Sequence, residues 1–187
     1  GDEPRRVSSV LIAKGARADV VDDRGRGVLH HAVKCRWFDS KSVRHLVKKG
    51  ARLNLVDKNG DRPIHAACRA GNQGLIEQLR WCKADFGIAD KSGLFPLHLA
   101  VQSGEHRAVR EVLEAKVQID AIDPKGNTAL HLAARLKDLT IASVLIRHKA
   151  AANVKNKAGK TPLDLGGFRT VEELETKYRE QVKARGE

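Results

Sequence analysis

Apolar and polar residues follow one another along this chain in a pattern that predicts short paired helices. Between residues 57 and 89, Ile64 and Ala67 fall on one face of a first helix of about 63–70. Leu75, Ile76 and Leu79 then take the i, i+1, i+4 spacing of a buried face on a second helix of about 74–81. Gly71 separates the two, and "KADFGIAD" leads out as an extended segment. Ahead of the pair, Asp57 to Asp61 reads as a turn, with Gly60 where positive φ is needed and glycine adopts it without steric penalty.

This unit recurs. "GDRPIHAAC" from Gly60 has near-copies in "GRGVLHHAV" from Gly25, "GLFPLHLAV" from Gly93, "GNTALHLAA" from Gly126 and "GKTPLDLGG" from Gly159, so the glycines stand 35, 33, 33 and 33 residues apart. Between them run "VRHLVKKGARLNLVD", "IEQLRWCKADFGIAD", "VREVLEAKVQIDAID" and "ASVLIRHKAAANVKN". A fixed period in this range marks a stacked array in which each unit buries its apolar face against its neighbours. The residue two after each glycine falls at a helix N-cap. Thr128 and Thr161 suit that place, Gly27 is acceptable, and Arg62 and Phe95 are poor caps. Pro63, Pro96 and Pro162 follow at the first helical position, where a missing N–H is no loss.

A turn and two helices in 33 residues around a T-P-L-H-x-A core resemble the ankyrin repeat, most closely in "GKTPL", "GNTALHLAA" and "FPLHLA". The likeness spans roughly residues 7–183 and implies an all-α repeat fold: a solenoid of stacked helix-turn-helix units with projecting β-hairpin turns. It divides the chain, as a single domain, into a partial unit at 7–21, full units at 22–56, 57–89, 90–122 and 123–155, and a capping unit at 156–187. The family's usual role is implied with it: binding other proteins, as a scaffold or adaptor, without chemistry. Three departures stand out. Two extra residues around "CRWFDSKS" predict a bulged loop. Gly15 and Gly50, which end second helices, are replaced by Lys83, Lys116 and Lys149 in the next three units. If those places keep a left-handed backbone, each lysine costs on the order of 1 kcal/mol. Asp164 stands where histidine is expected. "TVEELETKYREQVK" then offers Thr170 and Glu173 as a capping box and a narrow apolar stripe of Val171, Leu174, Tyr178 and Val182, which predicts a solubilising cap.

Composition narrows the setting. Aromatics make up 4% of the chain, as thin helical layers require, and no run reaches the ~18 consecutive apolar residues of a membrane span. Cys35, Cys68 and Cys82 form neither an even set nor a CxxC pair. That argues against disulfides or a zinc knuckle and for a reducing, intracellular setting, cytoplasmic or nuclear. No methionine is present and the chain opens in mid-unit, which reads as a piece of a longer protein, in which this domain could regulate or recruit substrate to an enzyme or channel. The net charge of +12 favours acidic partners: a protein face, anionic lipid or nucleic acid.

Candidate chemistry is sparse. His30, His65, His98 and His131 recur in register, but stacked helices lie roughly 8–10 Å apart and zinc ligands lie about 2 Å from their ion. Each imidazole is therefore expected to bond across its own turn. His31 and Cys35 share a helix face without an orienting third group. No nucleophile elbow, phosphate loop, zinc-protease or dinucleotide motif occurs. The expectation is no catalytic site, no cofactor and no metal.

The repeat turns surface residues into columns. Turn tips carry Arg24, Arg26, Lys58, Asp61, Lys91, Leu94, Lys125 and Lys157, and one position on the first helices reads Lys34, Arg69, Gln102 and Arg135. Two adjacent, largely cationic columns predict a positive groove for an acidic or acidic–apolar protein segment. Against this, the second helices are also basic, at Arg44, Arg80, Arg107, Arg110 and Arg147. Leu94 and Phe95 stand where polar residues are usual, and Trp37 and Phe38 lie in the inserted loop. These are anchors if exposed and packing groups if buried. Anionic lipid or nucleic acid is the alternative partner class, with binding that falls steeply with salt, although basic strips with interleaved aromatics are missing.

Overall fold

The structure is a computed structural model that describes residues 17–34 and 42–184. The inserted loop with Cys35, Trp37 and Phe38, the Lys34 side chain, Gly15 and most of the partial unit at 7–21 lie outside the described residues. Helices alternate in pairs. The first helices are α1 (Val28–His31, continued as a 3-10 turn over Ala32–Lys34), α3 (Pro63–Arg69), α5 (Pro96–Gln102), α7 (Ala129–Arg135) and α9 (Pro162–Gly166). The second helices are α2 (Ser42–Lys48), α4 (Gln73–Trp81), α6 (His106–Glu114), α8 (Leu139–Arg147) and α10 (Val171–Ala184).

Two columns result. First helices pack on first helices in the order α1, α3, α5, α7, α9, and second helices in the order α2, α4, α6, α8, α10. Between the columns runs one continuous apolar stripe that includes Leu29, Ile64, Leu75, Ile76, Leu79, Leu99, Leu130, Ile141 and Leu145. Apart from α10, these helices run to only four to nine residues, too short to hold in water alone, so their stability comes from this shared burial. At the far end α10 lies on α8 and buries Leu174, with Val171, Tyr178 and Val182 half-buried around it. The expected box is offset by one residue: the Thr170 hydroxyl accepts from the Glu173 N–H at 3.2 Å, while the Glu173 carboxylate accepts from Arg169 N–H at 2.9 Å.

The turns between units, here called fingers, share one construction. Asp22, Asp57, Asp90, Asp123 and Asn156 each use Oδ1 to accept two backbone N–H groups, two and four residues ahead, at 2.8 to 3.1 Å. Each finger is closed by a backbone bond from the first residue's N–H to the carbonyl four residues ahead, at 2.9 to 3.0 Å, without the extended paired strands of the expected β-hairpins. Among the described residues the only β pairing is an isolated antiparallel bridge between Val21 and Gly27, because the side-chain oxygen takes the donors that a longer ladder would use.

The histidine column does more than the expected local bond. Nδ1 of His30, His65, His98 and His131 accepts the N–H of Gly27, Arg62, Phe95 and Thr128 at 3.1 to 3.3 Å, which is the local bond foreseen. That contact leaves the ring proton on Nε2. From His30, His98 and His131 it donates into the next unit, to the carbonyls of Asp61, Asn127 and Lys160 at 3.0 to 3.1 Å, whereas His65 donates to Ile88 at the end of its own unit at 2.8 Å. Three of the four imidazoles thus tie their own turn to the next finger, and His65 ties its turn to the segment that leads into the next one. Asp164 keeps the local bond, accepting Thr161 N–H at 2.8 Å, but a carboxylate has no proton to pass on, and α10 follows in place of another finger. The left-handed lysines are present as anticipated, with φ of 64° at Lys83, 54° at Lys116 and 68° at Lys149, where Gly50 has 98°. Among the described residues no helix is long and apolar enough to cross a membrane.

Candidate partner-binding face

Fingers and first helices share one face, and most of the predicted residues lie on it. Arg24, Lys58, Lys91, Lys125 and Lys157 are exposed at successive finger tips. Backbone bonds hold neighbouring tips together: Lys58 N–H donates to the Arg24 carbonyl at 2.9 Å, and Lys157 N–H to the Lys125 carbonyl at 3.0 Å. Between the second and third fingers the link is a side chain, with Lys91 Nζ donating to the Lys58 carbonyl at 2.6 Å.

The cations on this face are not equivalent. Arg26 is half-buried and held by Asp22, with Nε and Nη2 at 2.9 and 2.8 Å from Oδ2. Arg69 sits between two acids. It meets Asp61 through Nη1 at 2.6 Å and Nη2 at 3.2 Å, and Asp90 through Nη2 at 3.0 Å. The Asp61 hydrogen bond, with the neighbouring carboxylates, raises the Arg69 guanidinium above its usual range against the lowering effect of burial. Burial pushes the Asp90 carboxyl up, but bonds from Ser92 and Leu94 and the charge of Arg69 outweigh it and hold it below the usual range. Arg69 therefore works as a strut between units, with its charge matched. Lys125 and Arg135 take part in no ion pair among the described residues.

Those two cations frame a cavity of about 240 Å³ between the third and fourth fingers, lined also by Ser92, Leu94, Gln102, Asp123, Pro124 and Leu132. Four of the predicted residues, Leu94, Gln102, Lys125 and Arg135, meet there. Asp123 adds a carboxylate to the lining: burial pushes it up, but bonds from Asn127 and Lys125 outweigh that and hold it below the usual range. Its Oδ1 takes Lys125 and Asn127 N–H, and its Oδ2 takes Asn127 Nδ2 at 3.1 Å.

The aromatics divide. Phe95 is half-buried, its ring 5.9 Å from that of His98. It is neither a free anchor nor part of the sealed core. Trp81 is 60% exposed at the end of α4, with the Arg80 guanidinium 5.4 Å over its ring. It lies away from the shared face, beside a larger cavity of about 380 Å³ between the ends of α4 and α6. There Arg80, Lys83 and Lys116 stand against Asp85.

One column was missed in the sequence. Val21, Val56 and Ile122, each just before the aspartate of its finger, are 47%, 49% and 54% exposed. Comparing the residue before each finger aspartate would have grouped them.

Chemically, the face offers charge and apolar contact. His30, His65, His98 and His131 have both ring nitrogens committed to backbone. Cys68 is fully buried, and burial pushes its thiol well above the usual range. No group of three metal-ligating side chains occurs among the described residues.

Comparison with known proteins agrees with this geometry. A family model for ankyrin repeats (3 copies) matches residues 5–90 and 70–158. No curated protein matches the chain.

Proposed function

We propose that this chain, which belongs to the ankyrin-repeat family, is a non-catalytic interaction module that holds an acidic or acidic–apolar protein segment against its fingers and first helices. Ankyrin repeats are generally protein–protein interaction modules. Within that role the acidic partner is our reading, and so is an intracellular setting. The observation that carries it is the row of exposed cations, Arg24, Lys58, Lys91, Lys125 and Lys157, at tips of which the first three and the last two are tied to one another. Preordered groups lose little freedom on binding, and a row of like charge favours a partner of opposite sign.

Charge reversal separates this reading from a general field effect. Arg24→Glu, Lys58→Glu and Lys91→Glu together are expected to weaken capture of an acidic partner far more than Arg107→Glu and Arg110→Glu on exposed α6. Affinity measured across a salt series gives the comparison. Equal losses from both sets would reduce the face to a share of the overall +12 field. Tight binding to duplex DNA or anionic vesicles with a steep salt slope would favour the lipid or nucleic-acid alternative.

A further inference from the structure

We infer that the junction between the third and fourth fingers is the anchor point of this face, taking an aliphatic side chain from a protein segment that carries carboxylates on the flanking residues. The inference rests on the reading above and deepens it.

The junction differs from the others in register. Leu94 occupies the place held elsewhere by Arg26, Asp61, Asn127 and Lys160, and Pro124 the place held by Asp23, Lys58, Lys91 and Lys157. Two positions that are polar in every other unit become apolar in neighbouring units, and they line the same cavity. Pro124 also alters the finger-to-finger link. Lys58 and Lys157 use their backbone N–H to tie one finger to the one before, and proline has none. Its ring fills the space beside Gly93 instead, with Cγ 2.5 Å from where a Cβ would stand.

Size and charge define the occupant. A volume of about 240 Å³ falls below the ~300–1,000 Å³ of small-molecule and cofactor sites, but accommodates one side chain. At the rim Lys125 and Arg135 make no ion pair among the described residues, whereas Arg69, two units earlier in Arg135's column, makes two. A pocket that offers Leu94, Pro124 and Leu132 beside two cations outside any ion pair, with its one carboxylate, Asp123, bonded within its own turn, complements an aliphatic group flanked by acids. A bare acidic run would leave the pocket empty, and a bare apolar group would leave both charges unused.

The test uses the chain and two dye-labelled peptides that alternate Asp and Glu around a central Leu or a central Ser, read by fluorescence anisotropy. The Leu peptide is expected to bind about tenfold more tightly, the lower end of what burying such a side chain contributes. Leu94→Asn and Pro124→Lys restore side chains that neighbouring units carry, so the fold tolerates them; circular dichroism melts check this. Both variants are expected to lose that tenfold for the Leu peptide and little for the Ser peptide. Lys125→Gln with Arg135→Gln is expected to weaken both peptides. If the two peptides bind alike while the double variant still weakens both, the anchor falls and the acidic-face reading stands. Binding by neither peptide, or equal loss from reversing Arg107 and Arg110, would overturn both.

Discussion

His98 is 1% exposed with both ring nitrogens bonded. Burial pushes its imidazole below the usual range, as it does those of His30 and His131, against the raising effect of the bonded carbonyls. The fold thus holds these rings neutral, while the unfolded chain protonates near pH 6.5. Above that value neither state takes the proton and stability is complete. As pH falls through it, the unfolded state gains protons that the fold refuses, and stability drops. The melting temperature is expected to fall between pH 7.5 and 5.5, well above the range where Asp90 and Asp123 titrate. A flat profile there would count against the inter-unit role of the rings. The left-handed lysines give a second outcome. Lys116→Gly is expected to add about 1 kcal/mol, or about 2–4 °C in melting temperature for a chain of this size. The lysines were legible because Gly15 and Gly50 share their column. Lys137, also left-handed at φ 56°, went unnoticed because its register partner Gly71 was read as a helix break alone and Gly104, in the same column, was not compared with it. The destination of each Nε2 was not legible, since it depends on the neighbouring unit's position.

At the scale of elements, the finger is a turn stabilised by its own first side chain. Asp57 accepts from Asn59 and Asp61 N–H at 2.8 and 2.9 Å, and its burial means that no water replaces them freely. Asp57→Ala is expected to lose about 1–3 kcal/mol, the range for leaving buried donors unmatched. Asp57→Asn should lose much less, because Asn156 makes the same pair of bonds in the last finger. Urea midpoints of the two variants test this, and equal losses would assign the role to the carboxylate's charge. Helix positions were well specified by apolar spacing: α3 and α4 end within a residue or so of expectation. The aspartate was not singled out, although it stands three residues before every glycine but one, where Asn takes its place. Glycine drew attention to the turn's backbone and away from the side chain that closes it.

Across the whole molecule, stability is approximately a sum over neighbours, so the ends answer differently from the middle. Leu174→Ala on α10 is expected to speed hydrogen exchange in α10 and α8 while leaving α3 to α6 protected. Leu79→Ala, buried between columns, is expected to cost about 2–5 kcal/mol and to raise exchange on both sides of α4. Uniform acceleration by both variants would mean a single cooperative block. Family and stacking order were legible in the 33-residue period, because a period needs no coordinates. The electrical map of the face was not. Lys34, Arg69, Gln102 and Arg135 formed a single column in the sequence, and only interatomic distances separate Arg69, with two acids against it, from Arg135, with none.

The forward-reaching imidazole also sets a rule for how such a chain can change length. Because the storeys repeat in register and three of the four imidazoles bond the finger that follows, a deletion of residues 90–122 would set His65, its own Ile88 acceptor retained, beneath the finger at Asp123 and close the splice in register. Removing half that span would leave an imidazole facing a helix. Growth and loss by whole storeys are therefore the edits this architecture absorbs, and removal of that one storey would also erase the pocket beside Leu94.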